Sequence, residues 1–293
     1  MPLRSLRRLC RAAALGMMPL LPACAPVDLL NATIPTGGVA VTRDVAYGPG
    51  PREMLDIYRP DAPGPLPVVV FFYGGSWRTG SKADYKFVAA SLAQRGLLVV
   101  VPDYRLYPEA RYPGFLQDGA AAVAWTVGHI GAHGGDATDV FLMGHSAGAY
   151  IAAMLALDPA FLAAEGVQRD ALAGMIGLAG PYDFLPITDP DIIPIFAVPD
   201  QPATQPIHHV DGLNPPLFLA AGSDDTIVLP RNTTRLAAAI RAAGGPVEET
   251  VYPGVGHIGT VIAFAPLFRG KAPVLDDVLG FVRQHERAAI SPR

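Results

Sequence analysis

The amino-acid sequence predicts an α/β protein with a mostly parallel eight-stranded sheet, helices on both faces and a short irregular cap. From residue 39 onward, short apolar runs alternate with helical patterns along the 293-residue chain. From Val68 onward these runs are apolar at successive positions, which is typical of strands buried on both faces of a parallel sheet. Hydrophobic residues make up 51% of the chain and charged residues 16%, which favours a single large core and excludes disorder.

The predicted elements follow in order. The first two strands, Val39–Tyr47 and Leu55–Tyr58, are expected to form an antiparallel hairpin. The remaining strands are predicted at Val68–Tyr73, Leu97–Val101, Val140–Met143, Met175–Leu178, Leu217–Ala221 and Thr250–Tyr252. Helices are predicted at Ala83–Arg95, Gly114–Gly128, Ala147–Leu157, Asn232–Ala243 and Val274–Arg287. The Pro-rich stretch Pro181–Pro216 has no assignable period and falls where the cap is expected, and no linker divides residues 39–293 into two domains.

The first 23 residues have the composition of a bacterial signal peptide. Four arginines and no acidic residue accompany an apolar stretch, Ala12–Leu21, that is too short to span a bilayer. The following Leu21-Pro22-Ala23-Cys24 resembles a lipoprotein box, in which cleavage leaves a lipidated cysteine as the first residue. We therefore expect a signal peptide over residues 1–23, a tether over residues 24–38 and a lipid anchor at Cys24.

The same segment bounds the location and the partners of the mature protein. Ala25 after the cysteine implies the periplasmic face of the outer membrane, but Ala23-Cys24-Ala25 also fits simple secretion into the periplasm. Removing the four arginines takes the formal net charge from −4 to −8, and no basic patch is evident, so nucleic acid is not an expected partner. Only Cys10 and Cys24 exist, which leaves the folded domain without a cysteine. The oligomeric state is not indicated.

A nucleophilic serine is predicted in Gly144-His145-Ser146-Ala147-Gly148. The pentapeptide follows an apolar run and precedes a helical one, and this strand–turn–helix context is where G-x-S-x-G marks a nucleophile. Glycine at 144 and 148 removes the Cβ atoms that would clash in so tight a turn. The competing interpretation is an ordinary turn serine between two glycines.

A serine nucleophile needs a base, and the base needs an acid to orient it. His257, on the glycine-rich loop after the last predicted strand, is the expected base. The acid is expected on the loop after Leu217–Ala221, where both Asp224 and Asp225 are available, and the order serine, acid, histidine suits this type of sheet. The adjacent His208 and His209 face opposite ways without an evident third ligand, so no metal site is expected.

The loop Tyr73-Gly74-Gly75-Ser76-Trp77 is the candidate oxyanion hole. It follows the strand Val68–Tyr73, and its small residues allow backbone N–H groups to turn toward a developing oxyanion. We expect the N–H groups of Gly75, Ser76 and Ala147 to donate. For this loop taken alone, an ordinary glycine turn is the alternative.

These motifs together resemble those of α/β-hydrolases, specifically the esterases with an H-G-G-x-W oxyanion loop. That group includes hormone-sensitive-lipase-like, acetyl-xylan-esterase-like and kynurenine-formamidase-like enzymes. The similarity spans about Val39 to Arg287 and also includes Asp103–Glu109, Gly134–Asp136 and Gly180–Asp183. The resemblance implies the α/β-hydrolase fold, and its G-x-x-D-x-x-V pattern selects Asp225 as the acid, with Asp224 as the fallback. Tyr73 departs from the family, which usually has a histidine there that anchors the loop.

The expected activity is hydrolysis of small or short-acyl esters through an acyl-enzyme, with no metal or organic cofactor. An amidase or arylformamidase with the same triad is the alternative, and a non-catalytic binding protein of the cell envelope is the third hypothesis. The substrate pocket is expected to include Trp77, Tyr107, Tyr182, Phe184 and Ile258, although such residues are more often part of a core.

Overall fold

The computed structural model describes residues 30–35, 37–197 and 201–287. The predicted signal peptide and Cys24 lie outside these ranges. Within the segment expected to be a tether, Leu30 and Ile34 are buried against the core, and the Asn31 side chain bonds the backbone of Ala83 and Phe87. The folded domain therefore includes residues that precede the first strand. No helix in the described ranges is long and apolar enough to cross a membrane.

Eight strands form one sheet in the order β1-β2-β4-β3-β5-β6-β7-β8. Their bounds are β1 (Val39–Ala46), β2 (Met54–Pro60), β3 (Leu66–Phe72), β4 (Leu98–Pro102), β5 (Gly135–His145), β6 (Leu172–Leu178), β7 (Leu217–Gly222) and β8 (Val247–Tyr252). The first two strands form the expected antiparallel hairpin, and β2 also pairs antiparallel with β4. All other neighbouring pairs are parallel, so the mostly parallel eight-stranded sheet is confirmed.

The helices connect the parallel strands or follow the last of them, β8. Their bounds are α1 (Lys86–Ala93), α2 (Gly114–His129), α3 (Ala147–Leu157), α4 (Pro159–Ala164), α5 (Ile193–Phe196), α6 (Arg231–Ala242), α7 (Gly259–Ile262) and α8 (Val274–His285). Short 3-10 helices occur at Lys82–Tyr85, Ile130–His133, Arg169–Ala171, Pro202–Thr204, Pro206–His209 and Pro266–Lys271. The sequence predicts the five long helices but not α4, α5 and α7, because four to six residues are too few to show a helical period.

The core lies on both sides of the sheet. Every residue of β4, β6 and β7 is buried, and since successive side chains point to opposite faces, both faces must be covered. Helix α3 is buried along its whole length, so the element that follows the predicted nucleophile cannot shift without disturbing the core. The sheet thus supports the loops at its carboxyl edge on a rigid base.

The Pro-rich stretch after β6 forms the irregular cap. It contains α5 and two 3-10 helices, and it packs inward through aromatic side chains. Phe184 and Phe196 contact Trp77 and Tyr150, with ring centroids 5.0–6.3 Å apart. The cap is therefore attached to the oxyanion loop and to α3 by apolar packing.

Candidate active site

Ser146 occupies the turn between β5, which ends one residue before it, and α3, which begins one residue after it. Its backbone has φ 54° and ψ −122°, a conformation that non-glycine residues rarely adopt. A Cβ on Gly144 would lie 2.2 Å from the carbonyl oxygen of Gly148, and a Cβ on Gly148 would lie 2.0 Å from that of Phe72. Both glycines are therefore required by close backbone approach, as the sequence predicts.

The structure brings the three predicted members of the triad together. The Ser146 Oγ lies 2.9 Å from the His257 Nε2, and the His257 Nδ1 lies 2.8 Å from the Asp225 Oδ2. The other carboxylate oxygen of Asp225 accepts the backbone N–H groups of Ile227 and Val228 at 2.9 and 2.8 Å. The carboxylate therefore holds its own loop in place while it contacts the imidazole.

The two candidate acids of this loop have different roles. Asp224 is exposed, and its Oδ1 accepts a hydrogen bond from the Ser223 hydroxyl at 2.7 Å. The Asp225 side chain is buried and faces His257. The geometry thus selects Asp225 as the partner of the imidazole and leaves Asp224 as a turn carboxylate.

The charge of Asp225 determines the tautomer of the histidine. Burial acts to raise the pKa of Asp225, but hydrogen bonds from His257 and from the Val228 and Ile227 amides outweigh it, so the pKa lies below its ordinary value. An ionised carboxylate can only accept, so the Nδ1 of His257 carries the proton in this pair. In the neutral imidazole the Nε2 is then free to accept the proton of the Ser146 hydroxyl.

The oxyanion loop, defined here as residues 74–81, has an unusual backbone. Gly75 has φ 126°, and a Cβ there would lie 2.2 Å from the Thr79 carbonyl oxygen. The next two residues, Ser76 and Trp77, have φ 53° and 56°. The Gly75 carbonyl accepts the N–H groups of Arg78 and Thr79 at 3.0 Å, which closes the loop into a tight turn.

This turn leaves donors available beside the serine. In residues 30–35, 37–197 and 201–287, no hydrogen bond uses the N–H groups of Gly75 and Ser76. Ala147 opens α3, where the first N–H groups have no acceptor within the helix. Ser76 and Ala147 line the same cavity as Ser146, and Gly75 immediately precedes Ser76. Two of the three residues predicted as donors thus line the cavity with Ser146, and the third is the immediate neighbour of Ser76 in the sequence.

A cavity of about 280 Å³ opens next to the serine. Its wall consists of residues from the oxyanion loop, the turn at Ser146, the cap and the segment after β7. These are Ser76, Trp77, Ser146, Ala147, Pro181, Phe184, Pro186, Ile187, Thr188, Asp189, Ile192, Ile227, Val228 and Asn232. Two of the expected pocket residues, Trp77 and Phe184, are among them. The sequence did not indicate the other cap residues, because the Pro-rich stretch has no period to place them.

The other three expected pocket residues lie outside this wall, each for a physical reason. Tyr182 is fully buried, and its hydroxyl lies where a side chain on Gly177 would stand, so the ring is turned into the core. Tyr107 packs against the guanidinium groups of Arg78 and Arg111. Ile258 is 51% exposed beside the catalytic histidine. The prediction that these three line the pocket was wrong.

His145 is a residue whose position the sequence analysis missed. It is buried, its ring centroid lies 4.9 Å from that of His257, and its Nε2 lies 3.3 Å from the His257 carbonyl oxygen. Burial and the neighbouring imidazole lower the pKa of His145 to about 3, so the ring is neutral and the Nε2–H can donate. The Thr260 hydroxyl donates to the same carbonyl at 2.9 Å. The backbone of His257 is therefore held from two sides.

The remaining histidine pair does not form a metal site. His209 faces the Ala203 carbonyl oxygen and lies 3.4 Å from an Asp158 oxygen. Among the residues that the structure describes, no group of three or more His, Cys, Asp or Glu side chains could hold a metal ion. His209 thus belongs to the packing of the cap, whereas His208 is exposed.

Comparison with known proteins gives consistent matches. A family model described as BD-FAE matches residues 55–192. The probable isoprenylcysteine alpha-carbonyl methylesterase ICME of Oryza sativa is 30% identical over 280 residues, covering 86% of this chain and 67% of the rice protein. Esterase LipC of Mycobacterium tuberculosis is 30% identical over 237 residues, covering 73% of this chain and 59% of that protein. The chain thus spans about two thirds or less of the length of these relatives.

Solved structures show the same fold. An esterase from Pseudomonas putida superposes with a TM-score of 0.74 at 21% identity, covering 90% of this chain and 89% of that one. Esterase B from Lactobacillus rhamnosis gives a TM-score of 0.74 at 21% identity, covering 89% of each chain. At this identity the likeness supports the fold and carries no information on substrates.

Proposed function

The chain belongs to the α/β-hydrolase esterases, and we propose that it hydrolyses carboxylic esters through an acyl-enzyme on Ser146. The observation that carries this proposal is the continuous chain of hydrogen bonds from Ser146 through His257 to Asp225, at 2.9 and 2.8 Å. A serine hydroxyl becomes a nucleophile when a positioned base removes its proton, and here the base is in turn oriented by a buried carboxylate.

The geometry suggests the following sequence of steps. The Nε2 of His257 takes the proton of Ser146 while the Oγ attacks the ester carbonyl, and the resulting oxyanion receives N–H groups from Gly75, Ser76 and Ala147. The tetrahedral intermediate then expels the alcohol, which takes the proton from His257, and the acyl group remains on Ser146. A water molecule deprotonated by His257 attacks the acyl-enzyme, releases the acid and restores the hydroxyl. Throughout, Asp225 stabilises the imidazolium.

The cavity supports small substrates. Its volume of about 280 Å³ is at the lower end of the range for ligand pockets, and buried apolar side chains such as Ile187 line it on the cap side. We therefore propose small or short-acyl esters as the substrate class. The relatives named above are esterases by name, which favours ester over amide substrates.

Hydrolysis of p-nitrophenyl esters from acetate to decanoate, measured for the domain and its Ser146→Ala variant, tests this function. We expect activity that peaks at short acyl chains and disappears in the variant. Equal activity in both proteins would contradict the proposed nucleophile. If neither protein cleaves any of these esters but the wild type cleaves formyl-anilides, the substrate would be an amide.

We also propose that the mature protein is anchored to the cell envelope through a lipid on Cys24, which lies outside the described residues. The support is the Leu21-Pro22-Ala23-Cys24 sequence after a short apolar stretch. Intact mass of the detergent-extracted protein should show acyl chains on Cys24. A Cys24→Ala variant should lose them, whereas an unmodified mature protein in the soluble periplasmic fraction would contradict the anchor.

A further inference from the structure

The two ends of the oxyanion loop meet on a single carboxylate oxygen. Tyr73 precedes the loop, and its hydroxyl donates to the Asp103 Oδ1 at 2.9 Å. Lys82 follows the loop, and its backbone N–H donates to the same oxygen at 2.8 Å. Asp103 lies directly after β4, which pairs with the strand that leads into the loop. The eight residues of the loop are thus closed at their base by one side chain of the neighbouring strand.

Arg52 adds a second connection across the same loop. Its Nη2 donates to the Tyr73 hydroxyl at 2.7 Å and to the Gly80 carbonyl oxygen at 2.9 Å. The same nitrogen lies 3.6 Å from Asp103, so the guanidinium also balances the charge of the carboxylate. The hydroxyl of Tyr73 therefore accepts from Arg52 while it donates to Asp103, and both of its neighbours bind the exit of the loop as well.

Packing leaves the Tyr73 ring no other position. The ring is fully buried and stacks on Tyr104 at 4.6 Å, and the Tyr104 hydroxyl donates to the Tyr73 carbonyl at 2.8 Å. Gly80, with φ 106°, approaches so closely that a Cβ there would lie 2.9 Å from the Tyr73 ring. The loop therefore folds back over the aromatic ring on which it is closed.

The backbone of the loop needs such an external constraint. Ser76 and Trp77 have positive φ, which side chains with a Cβ disfavour, so surrounding contacts must hold the conformation. We propose that Tyr73 is a positioning residue for the oxyanion hole, acting through Asp103 to hold the loop with the Gly75 and Ser76 N–H groups beside Ser146. The inference rests on the proposed function, because it concerns the donors of that same site. Tyr73 does not touch the substrate; it acts through the loop.

The rate of covalent labelling of Ser146 by a fluorophosphonate tests the inference, since labelling uses the nucleophile and the oxyanion hole but no particular ester. In Tyr73→Phe, which keeps the ring and removes both hydroxyl bonds, we expect the labelling rate constant and the kcat for p-nitrophenyl acetate to fall by about 10-fold. KM should stay within about twofold, and the pH profile should be unchanged because the triad is untouched.

Tyr252→Phe is the matched control. It removes another phenol-to-carboxylate hydrogen bond, to Asp277 at 2.7 Å, on the helix α8 side of the protein. We expect it to lower Tm at least as much as Tyr73→Phe while leaving the labelling rate at the wild-type value. If both variants lose labelling in proportion to their loss of Tm, Tyr73 is merely structural and the inference is wrong.

A double variant shows whether Tyr73 acts through Asp103. Asp103→Asn keeps an acceptor oxygen and should retain most of the labelling rate, whereas Asp103→Leu should fall about as far as Tyr73→Phe. Combining Tyr73→Phe with Asp103→Leu should add little, because groups that act as a unit are not additive. Full additivity would overturn the proposed route.

Two further outcomes separate this inference from the proposed function. Wild-type protein that labels but hydrolyses no ester would contradict the ester function, while the labelling comparison would still decide the role of Tyr73. Wild-type protein that does not label would overturn both. If Tyr73→Phe does not fold, Arg52→Met, which removes the bonds to the Tyr73 hydroxyl and to Gly80, should give the same loss of kcat with little change in KM. Wild-type kinetics in that variant would contradict the inference.

Discussion

Two buried aspartates near opposite edges of the sheet differ in the direction in which their pKa values are shifted. Asp225, on the loop after β7, and Asp139, in the amino-terminal half of β5, are each 2% exposed. Asp225 receives hydrogen bonds from an imidazole and two backbone amides, and its pKa is lowered. Asp139 receives the backbone N–H of Arg287 at 3.1 Å, and burial raises its pKa to about 6. Hydrogen-bond donors, and not burial alone, decide in which direction the pKa of a buried carboxylate shifts.

The backbone also differs between the carboxyl edge of the sheet, beside which Asp225 lies, and the opposite, amino edge. Within the described residues, four of the six non-glycine residues with positive φ, Ser76, Trp77, Ser146 and Ala179, lie after the carboxyl ends of β3, β5 and β6. Each such residue costs about 1–3 kcal/mol and persists only where surrounding structure imposes it. The carboxyl edge of the sheet therefore combines a strained backbone with a dense set of hydrogen bonds.

The largest expected effect comes from removing the charge of Asp225. In Asp225→Asn the charge is lost and the amide can also donate to the imidazole, so the side chain no longer fixes the tautomer, and kcat should fall by roughly 10³- to 10⁴-fold with little change in KM. The neighbouring Asp224→Asn is the control, because that side chain is exposed and bonds Ser223. Steady-state kinetics with a short p-nitrophenyl ester measures both. An equal loss in the two variants would show that the carboxylates have been assigned to the wrong roles.

Variants of His145 test whether activity depends on a neutral hydrogen-bond donor at the carboxyl edge of the sheet. His145→Leu removes the donor to the His257 carbonyl, and we expect kcat to fall by about 10-fold. His145→Gln can still donate and should retain more activity. Because the pKa of His145 is lowered to about 3, the acid limb of the activity profile should not move in either variant. A shifted acid limb would mean that His145 titrates with the catalytic group.

The contrast between the ends also explains what the sequence could predict. The fold and the tight turn at Ser146 could be predicted because glycine-flanked turns, a strand before Ser146 and apolar runs are local patterns with one physical meaning each. The choice of Asp225 over Asp224 needed the pattern of a family, since both lie on the same loop. Their different contacts arise only when the loop folds against His257.

The pocket wall could not be predicted because it depends on contacts between distant segments. Ile187 lies in a Pro-rich stretch without period, and only its packing brings it to the wall of the cavity. Tyr182 looked like a pocket residue by type, yet the small residues Gly177 and Gly180 leave room for its ring in the core. The closure of residues 74–81 on Asp103 likewise depends on a contact between the ends of two strands, β3 and β4, that a helix separates along the chain.

Ile187 also lies at the carboxyl edge of the sheet, but it is held by packing, whereas Asp225 and His145 are held by hydrogen bonds. Ile187→Ala enlarges a small cavity, so the ratio of hexanoate to acetate hydrolysis should rise by about fivefold. Ile258→Ala serves as the control, since that side chain is half-exposed and lies outside the wall. Initial rates over the p-nitrophenyl series give the ratio. If the ratio does not change in Ile187→Ala, the acyl chain occupies another part of the site.

At Asp139 we expect an effect on stability and not on activity. The sign of its pH dependence distinguishes Asp139 from Asp225. Since the pKa of Asp139 is about 6 in the folded protein, above its ordinary value of 3.8, the folded state binds a proton more tightly than the unfolded one. The stability that this group contributes is thus present at low pH and is lost as pH rises through about 6. Asp139→Asn should therefore gain stability between pH 4.5 and pH 8 relative to wild type, by about 2 kcal/mol.

Urea unfolding of both proteins at the two pH values measures this change. The difference between the two pH values is the informative quantity, because any fixed effect of the new amide is the same at both. If Asp139→Asn has the same effect at both pH values, Asp139 is charged throughout. The pKa values of buried carboxylates would then not be shifted in opposite directions at the two edges of the sheet.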